Sequence, residues 1–403
     1  MTLSRIGRIS KAFVVSMAVV LGMSACGGYT VGFMWVLGTQ YNKVSGFKID
    51  DYTGNLTDMV NSPYSSGGTD PVSIAVRVGG NFVFVVNKGT FNAKGQSNGD
   101  GNVAVFAVGE DGILTFQQSY QTAGNTPVWA AGDGTGSYLY VLDSQAPDYA
   151  TTGNGDITVF QVDPTTGRLQ LVPNQLIKNP QGQQLNYFEV GPVPTMLRVG
   201  GSCVYTLNAG NQTIYPYGIG SGGQLVVEVN STVNTGGTNI TSMNVTGSNV
   251  YLTDAGTNMI LPYTTGSGCS LSAQVGGAVS NLPLTSDPVY SMTDSKNKFL
   301  YVLNHGTTNS NNPNSSISAY VIESTGALVP ISDPQNPYSV GNGPVCMVED
   351  PSNQYVYTSN YNDGSVTGKY INQNTGQLSP LARGSAFPAS GLETCLGVSG
   401  NVD

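Results

Sequence analysis

Few side chains in this 403-residue sequence are equipped for acid–base work. Its single histidine, His305, stands in "YVLNHGTTNSNNPNSS" (301–316). An imidazole that titrates near neutrality can take a proton from water or from a hydroxyl. Three carboxylates recur at comparable places: Asp70 before Pro71, Asp287 before Pro288, and Glu393 in "GLETCLGV" (391–398). Gathered round one opening, they would hold a cation or divide the roles of acid and base. Kept apart, each Asp-Pro is ordinary turn chemistry. No His/Cys spacing for a metal occurs. "GQSNGDGN" (95–102) has the Asp/Asn/Gly composition of a calcium loop but lacks the closing Glu of an EF-hand. Calcium is therefore the one cofactor for which the sequence offers any site, and no other is expected.

What must position these residues is a repeat. Short apolar runs ending in Asn or Asp appear at "FVFVVN" (82–87), "YLYVLD" (138–143), "CVYTLN" (203–208), "NVYLTD" (249–254), "FLYVLN" (299–304) and "YVYTSN" (355–360), and "FMWVLG" (33–38) fits the same place. Their ends lie 46 to 65 residues apart. Before each run except the first lies another, such as "PVSIAVRV" (71–78) or "PVYSMTD" (288–294). After it come a third, such as "SISAYVI" (316–322), and a fourth behind a turn, such as "TGALVPI" (325–331). We label these strands a, b, c and d. Runs of 5–8 residues bounded by Gly, Asn and Pro read as strands. Four antiparallel strands repeated seven times make an all-β, seven-bladed β-propeller. The Asn or Asp ending each strand b is expected to form an Asx turn. Blade one begins without a strand a, and residues 391–398 have that strand's pattern with no strand b after them. The C-terminal strand should close blade one and leave no open sheet edge.

The "YVLN", "YTLN" and "YTSN" strands, the "TG-x-L" turns and "SPYSSGGTDPVSIAV" (62–76) resemble the seven-bladed lactonase-type, 6-phosphogluconolactonase-like propellers and the related YVTN surface repeats. The resemblance covers residues 31–398. It implies catalysis by His, Arg and Glu side chains near the central tunnel. This chain departs from that pattern, because no histidine stands in any strand a, where the family carries an Arg-His pair. His305, Asp70, Asp287 and Glu393 are the residues left to act as catalysts.

Loop lengths point to a working face. Between strands b and c, blades one, four, five and seven have five residues, whereas blade two has 15 (88–102), blade three 13 (144–156) and blade six 12 (305–316). The connection from strand d of blade three to blade four, around 174–193, is also long. All are expected on the face of the b–c and d–a loops, and loops on a rigid scaffold are where function is built.

The N-terminus carries a different signal. Arg5, Arg8 and Lys11 precede the apolar run "AFVVSMAVVLG" (12–22), too short to span a bilayer core of about 30 Å. "MSAC" (23–26) then resembles a bacterial lipoprotein signal, which implies a cleaved segment 1–25, lipid attachment at Cys26, a tether over 26–30 and one propeller domain over 31–403. Gly27 rather than Asp after the Cys implies no retention at the inner membrane. Localisation is then periplasmic or at the cell surface, through the outer membrane. Strand b of blade one starts on the a–b side, so a tether of at most roughly 18 Å should turn the long loops outward.

Removing Arg5, Arg8 and Lys11 takes the formal charge from −9 to −12, which excludes nucleic acid as a partner. Of the remaining cysteines, Cys203 and Cys269 lie on one face of neighbouring blades and are the expected disulfide. Cys346 and Cys395 occupy matching strand-a positions whose side chains point the same way round the ring, so they should stay apart. The leading functional expectation is a membrane-anchored propeller that binds a protein, glycan or small-molecule ligand on its loop-bearing face. The alternative is a lactone hydrolase, and a third reading is a structural component of a surface array.

Overall fold

The computed structural model describes residues 29–400 apart from 180, 228–231, 275–276, 282–285 and 307–313. The export segment and Cys26 lie outside the described residues. Strand b of each blade is an apolar run without alternation because both of its faces are covered by neighbouring blades. All six residues of Phe82–Asn87, Phe299–Asn304 and Tyr355–Asn360 are buried. Strand b pairs antiparallel with strand a on its inner edge and strand c on its outer edge, as Tyr138–Asp143 of blade three does with Pro127–Gly132 and Asn154–Val162. Seven such sheets form the propeller. Blade one is closed by the C-terminal strand: Glu393–Gly400 runs antiparallel to Thr30–Gly38, with Trp35 opposite Gly397 and Met34 opposite Val398.

Strand d differs from expectation. Only blade two keeps it whole, as Leu114–Tyr120. Elsewhere it is two short pieces on the same edge of strand c, such as Leu56–Asp58 and Tyr64–Ser65 against Lys43–Asp50. Side chains take over the ladder in the gap. Ser62 Oγ accepts from the Gly46 amide, and Asn336 bonds both the amide and the carbonyl of Ala319. In blade three the gap between Leu169–Leu171 and Phe188–Pro192 carries an inserted hairpin, Asn174–Lys178 with Gln184–Leu185. The long 174–193 segment is therefore mostly an elaboration of the outer rim, not of the d–a face.

A recurring joint holds each blade to the next. The third residue of strand b is aromatic in every blade. In blades one, five, six and seven it reaches a carbonyl in the c–d turn of the following blade, whereas Phe84 of blade two has no polar side-chain atom and the Tyr140 and Tyr205 hydroxyls of blades three and four have no partner among the described residues. Trp35 Nε1 donates to Gly112 O (3.0 Å), Tyr251 OH to Gly326 O (2.9 Å), Tyr301 OH to Gly376 O (3.0 Å) and Tyr357 OH to Gly54 O (2.6 Å). The first residue of strand b packs on the same glycine. Gly112 and Gly376 have φ of +81° and +72°, and a Cβ there would run into Phe33 and Phe299. The "TG-x-L" turn is thus a socket for the neighbouring strand b, and only glycine meets both the conformation and the contact.

Between blades four and five the joint is covalent. Cys203 takes the first place of strand b, and Cys269 takes the glycine place with φ +56°. The two form a disulfide with Cα atoms 5.7 Å apart. Cys346 and Cys395 were expected to stay apart, yet they are also bonded, with Cα atoms 5.1 Å apart. Inner strands converge on the axis, so one step round the ring displaces matching residues far less there than at the rim. The separation falls inside the usual range of about 4.4–6.8 Å.

The strand-b caps also differ from expectation. Asp254 makes the Asx-type contact, accepting from the Gly256 amide. Asn87, Asn304 and Asn360 instead donate across to strand c, to Asn102 Oδ1, Ser318 Oγ and Thr367 Oγ1.

Two outcomes test this architecture. Deleting residues 389–403 should abolish cooperative thermal unfolding, and a truncated chain melting near the full-length temperature would refute the closure. Cys203→Ser should cost about 2–4 kcal/mol under oxidising conditions. Cys203→Phe combined with Cys269→Gly rebuilds the ring-on-glycine joint and should recover much of that loss in chemical denaturation.

Candidate functional site

The tunnel mouth on the b–c face is built by one backbone device. The amide of the residue after strand b donates to the carbonyl of the residue before strand a: Lys88 to Asp70 (2.8 Å), Ala209 to Val193 (2.9 Å) and His305 to Asp287 (3.0 Å). Asp70, Val193 and Asp287 have φ of +56°, +50° and +49°, a region that costs a non-glycine residue of order 1–3 kcal/mol. Such strain persists where surrounding structure enforces it, and here it turns the side chains out at the rim of the mouth.

The device sets a nitrogen-bearing side chain beside each aspartate. His305 Nδ1 lies 3.6 Å from Asp287 Oδ2, with both side chains part-exposed at 39% and 46%. In blade two Lys88 follows strand b beside Asp70. Burial holds the Asp70 carboxyl above the usual carboxylate range, and the Lys88 charge acts against that rise. Among the described residues the His305–Asp287 pair is the single ion pair.

Glu393 stands apart from this arrangement. It is fully buried where the closing strand begins, and neither carboxylate oxygen has a hydrogen-bond partner among the described residues. Burial pushes its carboxyl up to about 8. Among the described residues no three His, Cys, Asp or Glu side chains are gathered closely enough to hold a metal ion, so Asp70, Asp287 and Glu393 do not form a metal-holding set there.

The 95–102 loop is occupied by its own contacts. The Asp100 carboxylate accepts from the Thr90 amide (2.7 Å) and hydroxyl (2.8 Å), which holds it below the usual range. Gly95, Ser97 and Gly99 also have the spacing of a nucleophile elbow. Ser97, however, sits in an exposed turn, bonded to Asn125 O, and lacks the strand-to-helix setting that chemistry needs.

Sequence reasoning overlooked the floor of the mouth. Arg198 of blade four reaches across the hub, its guanidinium carbon 4.7 Å from the ring centre of Trp129 in blade three and 5.4 Å from that of Tyr290 in blade six. Its Nε donates to Met243 O at 3.0 Å. This cation–π group plugs the tunnel with no carboxylate partner among the described residues. A signal for it was present. Opposite the third residue of strand b the other blades carry Ala75, Ala131, Asn244, Met292, Val348 and Gly397. Arg198 is the one charge at that level.

The family model described as "Lactonase, 7-bladed beta-propeller" matches residues 30–185 and 270–392. No curated protein sequence matches the chain. Among solved structures, a Pseudomonas aeruginosa periplasmic gluconolactonase superposes with a TM-score of 0.70 at 15% identity, over 93% of this chain and 100% of that one. A Bacteroides fragilis protein provisionally named 6-phosphogluconolactonase gives 0.69 at 16% identity, over 92% and 98%. A Lactobacillus plantarum protein gives 0.69 at 15%, over 92% and 100%. At these identities the likeness is one of fold.

The buried glutamate makes stability depend on pH in a defined direction. A carboxyl that titrates near 8 in the native state and near 4.5 in the unfolded chain is held protonated by folding. Native stability therefore falls as pH rises between those values. Glu393→Gln, which mimics the protonated form, should raise the Tm at pH 8 and leave it unchanged at pH 4.5. An equal shift at both pH values would contradict this account.

Proposed function

This chain belongs to the lactonase family of seven-bladed β-propellers, and from that premise we propose that it opens a lactone ring by water attack at the b–c mouth of the tunnel. The observation that carries the reading is the His305–Asp287 pair on that rim. Asp287, facing Nδ1, steadies the imidazole and the imidazolium it becomes, leaving Nε2 free to work as the base. Catalytic contacts in an empty site are commonly longer than in the loaded one, and 3.6 Å closes to a hydrogen bond with a small turn of either side chain. As water adds to the lactone carbonyl, one of its protons passes to Nε2. When the tetrahedral species collapses, the ring C–O bond breaks and the leaving alkoxide takes that proton back. Charge on the carbonyl oxygen has Arg198 to meet it, on the floor of the tunnel against Tyr290 of the same blade as His305.

We place the reaction outside the cytoplasm. The N-terminal segment supports export with lipid attachment at Cys26, and two disulfides suit an oxidising compartment. The fold neighbour from Pseudomonas aeruginosa is named as a periplasmic gluconolactonase. The second reading keeps the face and drops the chemistry: the loops of blades two and three enlarge one side of the ring, and an anchored binding module would use the same mouth. The missing strand-a histidines favour it.

Turnover decides between them. The purified chain should hydrolyse at least one member of a panel including glucono-1,5-lactone and its 6-phosphate above the buffer rate. His305→Ala should lower kcat/KM by about 10²-fold or more, and Asp287→Asn should lower it by a smaller factor. Full activity in His305→Ala would remove the proposed base, and no turnover of any lactone would leave the binding module.

A further inference from the structure

Blade three departs from the others where strand b meets strand c. Asp143 ends strand b, Asp156 lies directly opposite on strand c, and Glu189 of the outer strand lies directly opposite Asp156. Residues opposite one another on adjacent strands share a face, and like charges so placed repel. Comparable places in blades two, six and seven are neutral, with Asn87 facing Asn102, Asn304 facing Ser316 and Asn360 facing Ser365, and in blade five the lone Asp254 faces Met259. Asp143 and Asp156 are both fully buried. The loop between them adds Asp148, close enough for its charge to act on Asp156.

Nothing of opposite sign answers these acids, since the one ion pair among the described residues lies elsewhere. Buried oxygens are left over instead. Asp156 Oδ1, Asp148 Oδ1 and Thr126 Oγ1 have no hydrogen-bond partner among the described residues, and Asp156 and Thr126 are exposed by 0% and 1%. Thr158 Oγ1 lies 3.5 Å from an oxygen of each buried aspartate and is shared between them. Buried polar atoms are as a rule satisfied. Three orphaned oxygens in one corner, beside two facing carboxylates, mark a missing positive charge.

We propose that this corner binds one calcium ion, which clamps the 144–153 loop to blade three. The donors are all oxygen, a set that suits a hard cation and excludes the soft transition metals. They are also mixed, with carboxylates, a hydroxyl and an irregular loop. Calcium tolerates such a set in its six- to eight-fold shell, whereas magnesium demands a near-ideal octahedron. Asp143 and Asp156 supply the charge from rigid strands, Thr126 a neutral oxygen, and Asp148 closes from the loop as the ion enters. As they stand, no three acidic side chains among the described residues are gathered closely enough to hold a metal, so binding requires Asp148 to move in with the loop.

The site lies in blade three and shares no residue with the His305–Asp287 pair of blade six, so its test needs no turnover. Chelator-stripped full-length protein is titrated with calcium chloride by calorimetry and melted with and without the ion. One ion per chain is expected, with a Tm rise of roughly 3–5 °C at a hundredfold excess over Kd. Asp156→Asn, which copies Asn102 at the same place in blade two, should fold, lose the calcium shift and melt higher than stripped wild type. No bound ion, or a calcium shift that survives Asp156→Asn, would overturn the proposal. Terbium supplies a readout that does not depend on that variant folding. Tyr187 is close enough to feel the charges of Asp148, Glu189 and Asp156. Emission excited through tyrosine should be displaced by calcium and fall by more than half in Tyr187→Phe, and emission unchanged in that variant would place the ion elsewhere.

Discussion

The joint between one blade's strand b and the next blade's c–d turn is the constraint on which the ring depends. A four-stranded sheet has two apolar faces and no core of its own, so each blade must find a partner on both sides at a fixed rotation. The aromatic third residue of strand b fixes that rotation. Its ring fills the gap between blades in all seven, and in four of them its one polar atom also bonds a carbonyl of the next turn. Glycine in the turn lets the neighbouring strand approach. Where Cys203 and Cys269 replace that pair, a bond at the same spot does the same work. The replacement shows that the joint is selected as a position and that its chemistry can vary.

Much of this was legible in the sequence, because strand period and turn residues are local properties. The apolar runs, the Asn and Asp ends and the "TG-x-L" turns marked seven units, and the unpaired pattern at 391–398 marked the closure. What escaped depended on distances between units. Cys346 and Cys395 were judged by direction alone, when the closeness of inner strands at the axis decides the matter. The hairpin at 174–185 was assigned to the d–a face because sequence gives a connection's length and not where a strand is interrupted.

The candidate site divided along the same line. His305 and Asp287 could each be singled out by residue type, but 18 residues separate them, and the carbonyl–amide bond that brings them together belongs to the propeller frame. Asp70 and Glu393 looked alike on paper. In the fold one keeps a lysine and access to solvent, and the other is sealed under blade one. Arg198 was missed because a lone arginine in a strand carries no motif. It acquires meaning only when seven inner strands are set level and one of them is charged.

Closure by the last strand also bears on how the molecule is made. Of the described strands Thr30–Gly38 leaves the ribosome first and its inner partner, Glu393–Gly400, leaves last. Until then blade one presents an apolar strand with a row of unsatisfied amides and carbonyls, an invitation to wrong pairing. That delay obliges the emerging chain to be shielded until its tail arrives, so maturation of this propeller is timed by its final strand.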